Sequence, residues 1–88
     1  MIGRDYATVQ LDIRNGLVIT AVMERMVADA HAKMPEAPVT VRMGNEVARW
    51  FYQYFHSESG VSYIGERYAG YIFETVHGHP YLLEVVCG

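Results

Sequence analysis

The sequence predicts a small two-layer α+β sandwich, two amphipathic helices on a three- to five-stranded, mostly antiparallel sheet, with all 88 residues in one domain. Three observations carry this. Within residues 45–56, Val47, Trp50, Phe51, Tyr54 and Phe55 fall at the i, i+3, i+4, i+7, i+8 spacing of one helix face. Ile19, Val22, Met23, Met26, Val27, Ala30 and Met34 share one face of a second helix, with Glu24, Arg25 and His31 off it. Residues 7–14 and 39–43 alternate apolar and polar, the period of a half-buried strand.

Residues 1–5 read as a loose terminus. A first strand then points Val9, Leu11 and Ile13 one way and Thr8, Gln10, Asp12 and Arg14 the other. Asn15-Gly16 has two readings. It is a hairpin turn into a short second strand, or a turn from the strand directly into a helix that begins near Leu17. Helical spacing from Ile19 onward favours the second. The helix must stop before Pro35, because a residue preceding proline avoids the α region. Val39, Val41 and Met43 face inward on the next strand, and Gly44 breaks it. Asn45 is expected as the N-cap of the aromatic helix, with Glu46 complementing the helix dipole.

Ser57-Glu58-Ser59-Gly60 is a loop by composition. Residues 61–64 read as a short strand or a turn. Residues 69–76 and 81–86 read as arms of a C-terminal hairpin around His77-Gly78-His79-Pro80. A three-residue loop aligns Tyr71, Phe73 and Thr75 with Tyr81, Leu83 and Val85, and sets Glu74 against Glu84. That like-charge pair is unfavourable, but the two-residue loop that would avoid it mixes glutamate among the apolar rows, so the first register is the preferred one.

A chain this short buries little more than ~60% of its unfolded surface. Yet it is 51% hydrophobic and 19% charged. The apolar excess points to self-association or a protein partner. Net charge is −3, Lys33 is the one lysine, and Arg4, Arg14, Arg25, Arg42, Arg49 and Arg67 are spread evenly. Without a basic stripe, phosphate-driven nucleic-acid binding is disfavoured. Cys87 is the single cysteine, so no intrachain disulfide forms and no oxidising compartment is needed. No signal peptide is evident, and the apolar run at 17–23 is too short to span a bilayer. The expectation is a cytoplasmic protein with no membrane partner.

Candidate chemistry is sparse. His77 and His79 flank Gly78, and with Glu74 or Glu84 they suggest a metal-dependent enzyme as an alternative function. No third ligand stands at a demanding spacing, so solvated turn histidines are the favoured reading, with no catalytic residue, metal or cofactor expected. Glu74 and Glu84 as an acid–base pair depend on the hairpin register. Cys87 lacks a basic neighbour and reads as a surface thiol or edge-strand packing. The seven tyrosines are more informative, since tyrosine joins a large contact area to a polar tip. Tyr52, on the flank of the aromatic helix, and Tyr68, Tyr71 and Tyr81, in the last third, are the candidate binding residues.

From residue 28 to 86 the order has a further meaning. A helix ending Ala28-Asp29-Ala30-His31-Ala32-Lys33-Met34-Pro35 leads to Val39-Thr40-Val41-Arg42-Met43. A helix opening Asn45-Glu46-Val47, a loop, Tyr68-Ala69-Gly70-Tyr71-Ile72-Phe73-Glu74 and a terminal strand follow. This resembles the peripheral-domain segment of tailed-phage major capsid proteins and the general look of small phage-encoded proteins. The chain is far too short for a complete capsid protein. The resemblance implies assembly through contacts and no catalytic residue. The expected function is therefore non-enzymatic, a minor virion or assembly component or a small inhibitor of a host protein, working as a homo-oligomer.

Overall fold

The computed structural model describes residues 5–58 and 61–88. Its elements run β1 (Asp5–Gln10), α1 (Gly16–Lys33), β2 (Val39–Gly44), α2 (Asn45–Glu58), α3 (Val61–Arg67), β3 (Ile72–Val76) and β4 (Leu82–Cys87). The four strands form one mixed sheet in the order β1-β4-β2-β3, with the helices on one face. The two-layer α+β architecture is as expected. Of the loose terminus expected at residues 1–5, residues 1–4 lie outside the described residues and Asp5 opens β1; of the loop expected at 57–60, residues 59 and 60 lie outside them and residues 57 and 58 instead end α2.

Strand–turn–helix is the correct reading of Asn15-Gly16. Asn15 has an extended backbone, and its Oδ1 accepts from the amides of Leu17 and Val18 at 3.0 and 3.4 Å. That satisfies two of the donors a helix start leaves unpaired. Gly16 is buried because α2 crosses close to it: a Cβ there would collide with the Tyr54 side chain and the Trp50 carbonyl. The buried face of α1 is the predicted one, with Ile19, Met23, Met26, Val27 and Ala30 in the core and Val22 and Met34 partly buried. Thr20 joins them, its hydroxyl donating to the Gly16 carbonyl at 2.7 Å, so no buried polar group is orphaned there.

β1 is shorter than the alternation suggested. It ends at Gln10, after one last amide–carbonyl bond from Leu11 to Tyr81 at 2.7 Å. Leu11 still reaches the core, whereas Ile13 is exposed.

On α2, Val47, Ala48, Phe51 and Phe55 are buried, and Trp50 and Tyr54 are partly so. Phe51 is the hub. Its ring stacks on Phe73 of β3 at 5.6 Å, meets Phe55 edge-on at 4.9 Å and lies 6.2 Å from Tyr68. Asn45 is not the cap; it is the first helical residue. The amides of Glu46 and Val47 donate instead to the Pro80 carbonyl at 3.0 and 3.2 Å. Residues 61–67 form a third helix, not a strand or turn.

The largest correction concerns the end of the chain. β3 and β4 are not a hairpin, because β2 lies between them, parallel to β3 and antiparallel to β4. Parallel neighbours need a long crossover, and α2 with α3 supplies it. The chain then passes from β3 to β4 over the end of β2. Gly44 makes that passage possible, since a Cβ at that position would collide with the His79 carbonyl oxygen and with Pro80. Glu74 and Glu84 are thus held apart by the strand that carries Arg42.

Candidate functional site

Strand alternation divides the sheet cleanly. Phe73, Val41, Met43, Leu83 and Val85 face the helices, and Cys87 joins them at the end of β4. The opposite face has no helix over it among the described residues. In register it carries two full rows. Tyr6, Val86, Thr40 and Ile72 form the first, and Thr8, Glu84, Arg42 and Glu74 the second. Beyond them Gln10 pairs with Leu82, and Gly44 with Val76, at the end of the sheet.

The second row is a connected polar chain across all four strands. The Thr8 hydroxyl donates to Glu84 at 3.1 Å, Arg42 Nη1 donates to Glu84 at 2.9 Å, and Arg42 Nε stands 3.4 Å from Glu74. Two carboxylates against one guanidinium leave this face without the basic excess that phosphate binding needs. The first row ends in exposed apolar groups at both sheet edges, Tyr6 at 57% and Ile72 at 53%. Between them lies a shallow recess of about 340 Å³, lined by Tyr6, Thr40, Arg42, Glu74, Val86 and Gly88. Among the described residues this face thus has apolar groups at both ends and a hydrogen-bonded polar row at its centre.

The predicted tyrosines are dispersed. Tyr52 is exposed on the flank of α2, edge-on to Phe51 at 5.3 Å, and partial burial raises its pKa. Tyr68 is 4% exposed and packs among Phe51, Phe55, Phe73 and Tyr71, so it offers a partner almost no surface. Its hydroxyl donates to Glu24 of α1 at 3.3 Å. Burial first, then the Glu24 charge, pushes the phenol well above its ordinary value of 10.0. Arg67 clamps the same carboxylate at 3.0 and 3.3 Å, tying α3 to α1. Tyr71 is half-buried beside Tyr68, 5.5 Å ring to ring, its pKa raised by burial and by Glu24. Tyr81 precedes β4 at the opposite end of the sheet from Tyr71, and its carbonyl accepts from Leu11.

His77 is exposed just after β3, and His79 is exposed at the passage over β2. Among the described residues, no three His, Cys, Asp or Glu side chains converge where a metal ion could sit. Cys87 is neither a surface thiol nor on an edge strand. It is fully buried on β4, an interior strand, with Sγ 3.7 Å from the Met34 carbonyl.

A second recess, about 250 Å³, opens where α1 begins against α2, lined by Arg14, Asn15, Gly16, Trp50, Gln53 and Tyr54. Trp50 Nε1 is buried there with no hydrogen-bond partner among the described residues, and Arg49 lies over the indole at 5.5 Å.

Tyr6 and Ile72 were missed by reasoning on tyrosine number alone. The signal was the outward half of each alternating strand, legible only once the strand order is known. No helix among the described residues is long and apolar enough to cross a membrane. Comparison with known proteins found no family model, no curated protein and no solved structure that matches this chain.

Proposed function

We propose that this chain is a non-enzymatic interaction domain of phage type, which acts by applying the open face of its sheet to another protein. The observation that carries the reading is that face: four strands that no layer covers among the described residues, exposed Tyr6 and Ile72 at its edges, and a charge row already satisfied internally. A sheet whose second face is neither covered nor uniformly polar fits a contact surface. The phage origin is supported by the resemblance of residues 28–86 to capsid-protein peripheral domains. Two roles follow from it, a minor virion or assembly component and a small inhibitor of a host protein.

The test uses wild-type protein and an Ile72→Arg variant as paired baits in lysates of phage-infected cells. A protein retained by wild type and lost by Ile72→Arg supports the reading. Capsid or tail proteins among the face-dependent partners indicate a virion role, and a host enzyme indicates an inhibitor. Equal retention by both baits, or none by either, overturns use of this face.

A further inference from the structure

Among the described residues, β1 has one strand neighbour, β4, so its other side is a free edge. The Leu11 amide donates to Tyr81, the residue directly opposite it. In an antiparallel ladder such pairs alternate, so Ala7 and Val9 also turn their backbone groups toward β4. The N–H and C=O groups of Tyr6, Thr8 and Gln10 therefore point outward, away from β4, with no strand beside them among the described residues.

From Tyr6 to Gln10 this edge holds no charge and no proline, devices that normally keep edge strands apart; Asp5, at the very start of β1, is the one charged residue of the strand. Apolar exposure collects on the same stretch of chain. Of the large hydrophobics left exposed, Tyr6, Val9, Ile13, Leu17 and Val18 all fall between residues 6 and 18. Val9 is the telling one. It faces the helix layer, yet it is 36% exposed at the margin of that layer.

We propose that this edge is where two copies of the chain meet, β1 against β1, antiparallel about a two-fold axis at Thr8. This rests on the reading of the chain as an oligomer-forming interaction domain and names the surface that would do it. In this register Thr8 faces Thr8 of the second copy, and Tyr6 faces its Gln10. Each is a hydrogen-bonded pair, because these are the residues with outward backbone groups. Val9 meets Ala7 of the second copy in the tighter non-hydrogen-bonded position, which covers it. The axis stands perpendicular to the sheet, so both helix layers lie on one side of a continuous eight-stranded sheet, four strands from each copy. The other edge does not suit self-pairing. Two β3 strands paired along their length would set Glu74 against Glu74.

Light scattering after size exclusion measures the mass of wild type, Thr8→Pro and Thr8→Cys. Proline at position 8 removes an outward N–H, which an edge strand tolerates, and the exposed Thr8 hydroxyl bond to Glu84, so the fold survives while pairing is blocked. Wild type runs at twice the chain mass, and Thr8→Pro runs as a monomer with an unchanged circular dichroism spectrum. Paired Thr8 Cα atoms would lie about 5.5 Å apart, within disulfide range. Oxidised Thr8→Cys therefore forms a covalent dimer, and Ile72→Cys on the opposite edge does not. A wild-type monomer at about 1 mM overturns both this interface and the oligomer reading. A dimer that persists in Thr8→Pro, or a Thr8→Cys that does not cross-link, overturns the interface alone. Should Thr8→Pro not fold, the cysteine pair decides the matter by itself.

Discussion

Nη1 of Arg42 donates to Oε1 of Glu84 at 2.9 Å across the seam between β2 and β4, and Arg42 Nε approaches Glu74 of β3 at 3.4 Å. The two contacts are unequal. The Glu84 side chain is 15% exposed, that of Glu74 54%. Removing the guanidinium strands a nearly buried carboxylate beside another of like charge. Arg42→Met should therefore cost about 1–2 kcal/mol. Glu74→Gln breaks a solvated pair and should stay within about 0.5 kcal/mol. The Arg42→Met/Glu84→Met double variant should recover most of the loss, since it leaves no stranded charge. Urea unfolding of the three variants decides it, and equal effects of Arg42→Met and Glu74→Gln would remove the burial argument.

Gly44 sits where the β3–β4 connection crosses the end of β2. Gly44→Ala would drive a methyl into the His79 carbonyl and Pro80, both backbone groups that cannot swing aside. The same displacement would pull the Pro80 carbonyl from the first amides of α2. A loss of about 1–3 kcal/mol is expected, as for other overpacked sites. Hydrogen exchange should show the amides of Glu46 and Val47 losing protection more than those of α1. A uniform loss over both helices would mean the Pro80 contact is not what holds the start of α2.

Most of the local elements were legible in the sequence; their arrangement was not. The faces of α1 and α2 follow from 3.6-residue spacing, and the inward set Val39, Val41, Met43 from alternation, because burial acts on each element separately. Strand order is a non-local property, and the short range between residues 76 and 82 suggested a hairpin. The clue to the contrary was the Glu74–Glu84 clash that such a hairpin demanded. In the fold the conflict disappears, because Arg42 is inserted between them. Asn45 had the right chemistry for an N-cap, yet a carbonyl from a distant segment, Pro80, took the amides. Residues 61–67 carry a glycine at 65 and too short a pattern for periodicity to declare a helix. Of the site, the tyrosine count led to Tyr68, which the core needed, and away from Tyr6, which lies on the open face.

Gly16 and Gly65 are both helical, and helix propensity alone would favour alanine at each by up to about 1 kcal/mol. Their surroundings reverse one of them. A Cβ at Gly16 would overlap Tyr54 and the Trp50 carbonyl, whereas one at Gly65 would meet nothing within 4 Å. Gly16→Ala should lower the melting temperature and loosen the α1–α2 contact, visible as a red shift of Trp50 emission. Gly65→Ala should raise stability by about 0.5–1 kcal/mol. If Gly16→Ala proves neutral, the helices are not held as close as the structure shows.

Tyr68 joins the aromatic core to α1 through its bond to Glu24, and its pH response follows from its pKa. Burial and the Glu24 charge raise the folded-state pKa above the 10.0 of the unfolded chain. Below about pH 10 the phenol keeps its proton in both states, and its contribution to stability is fully present. Above that, the unfolded chain loses the proton first, so stability falls as pH rises toward the folded value. One such proton gives a slope of up to about 1.4 kcal/mol per pH unit. Tyr71 and Tyr52 shift in the same direction and add to it. Tyr68→Phe should lose about 0.5–1.5 kcal/mol at neutral pH with the Glu24 bond, and then show a shallower alkaline decline than wild type. Urea melts from pH 7 to 11.5, read beside tyrosinate absorbance, measure both quantities. Parallel pH profiles for the two proteins would show that the Tyr68 proton is not linked to folding.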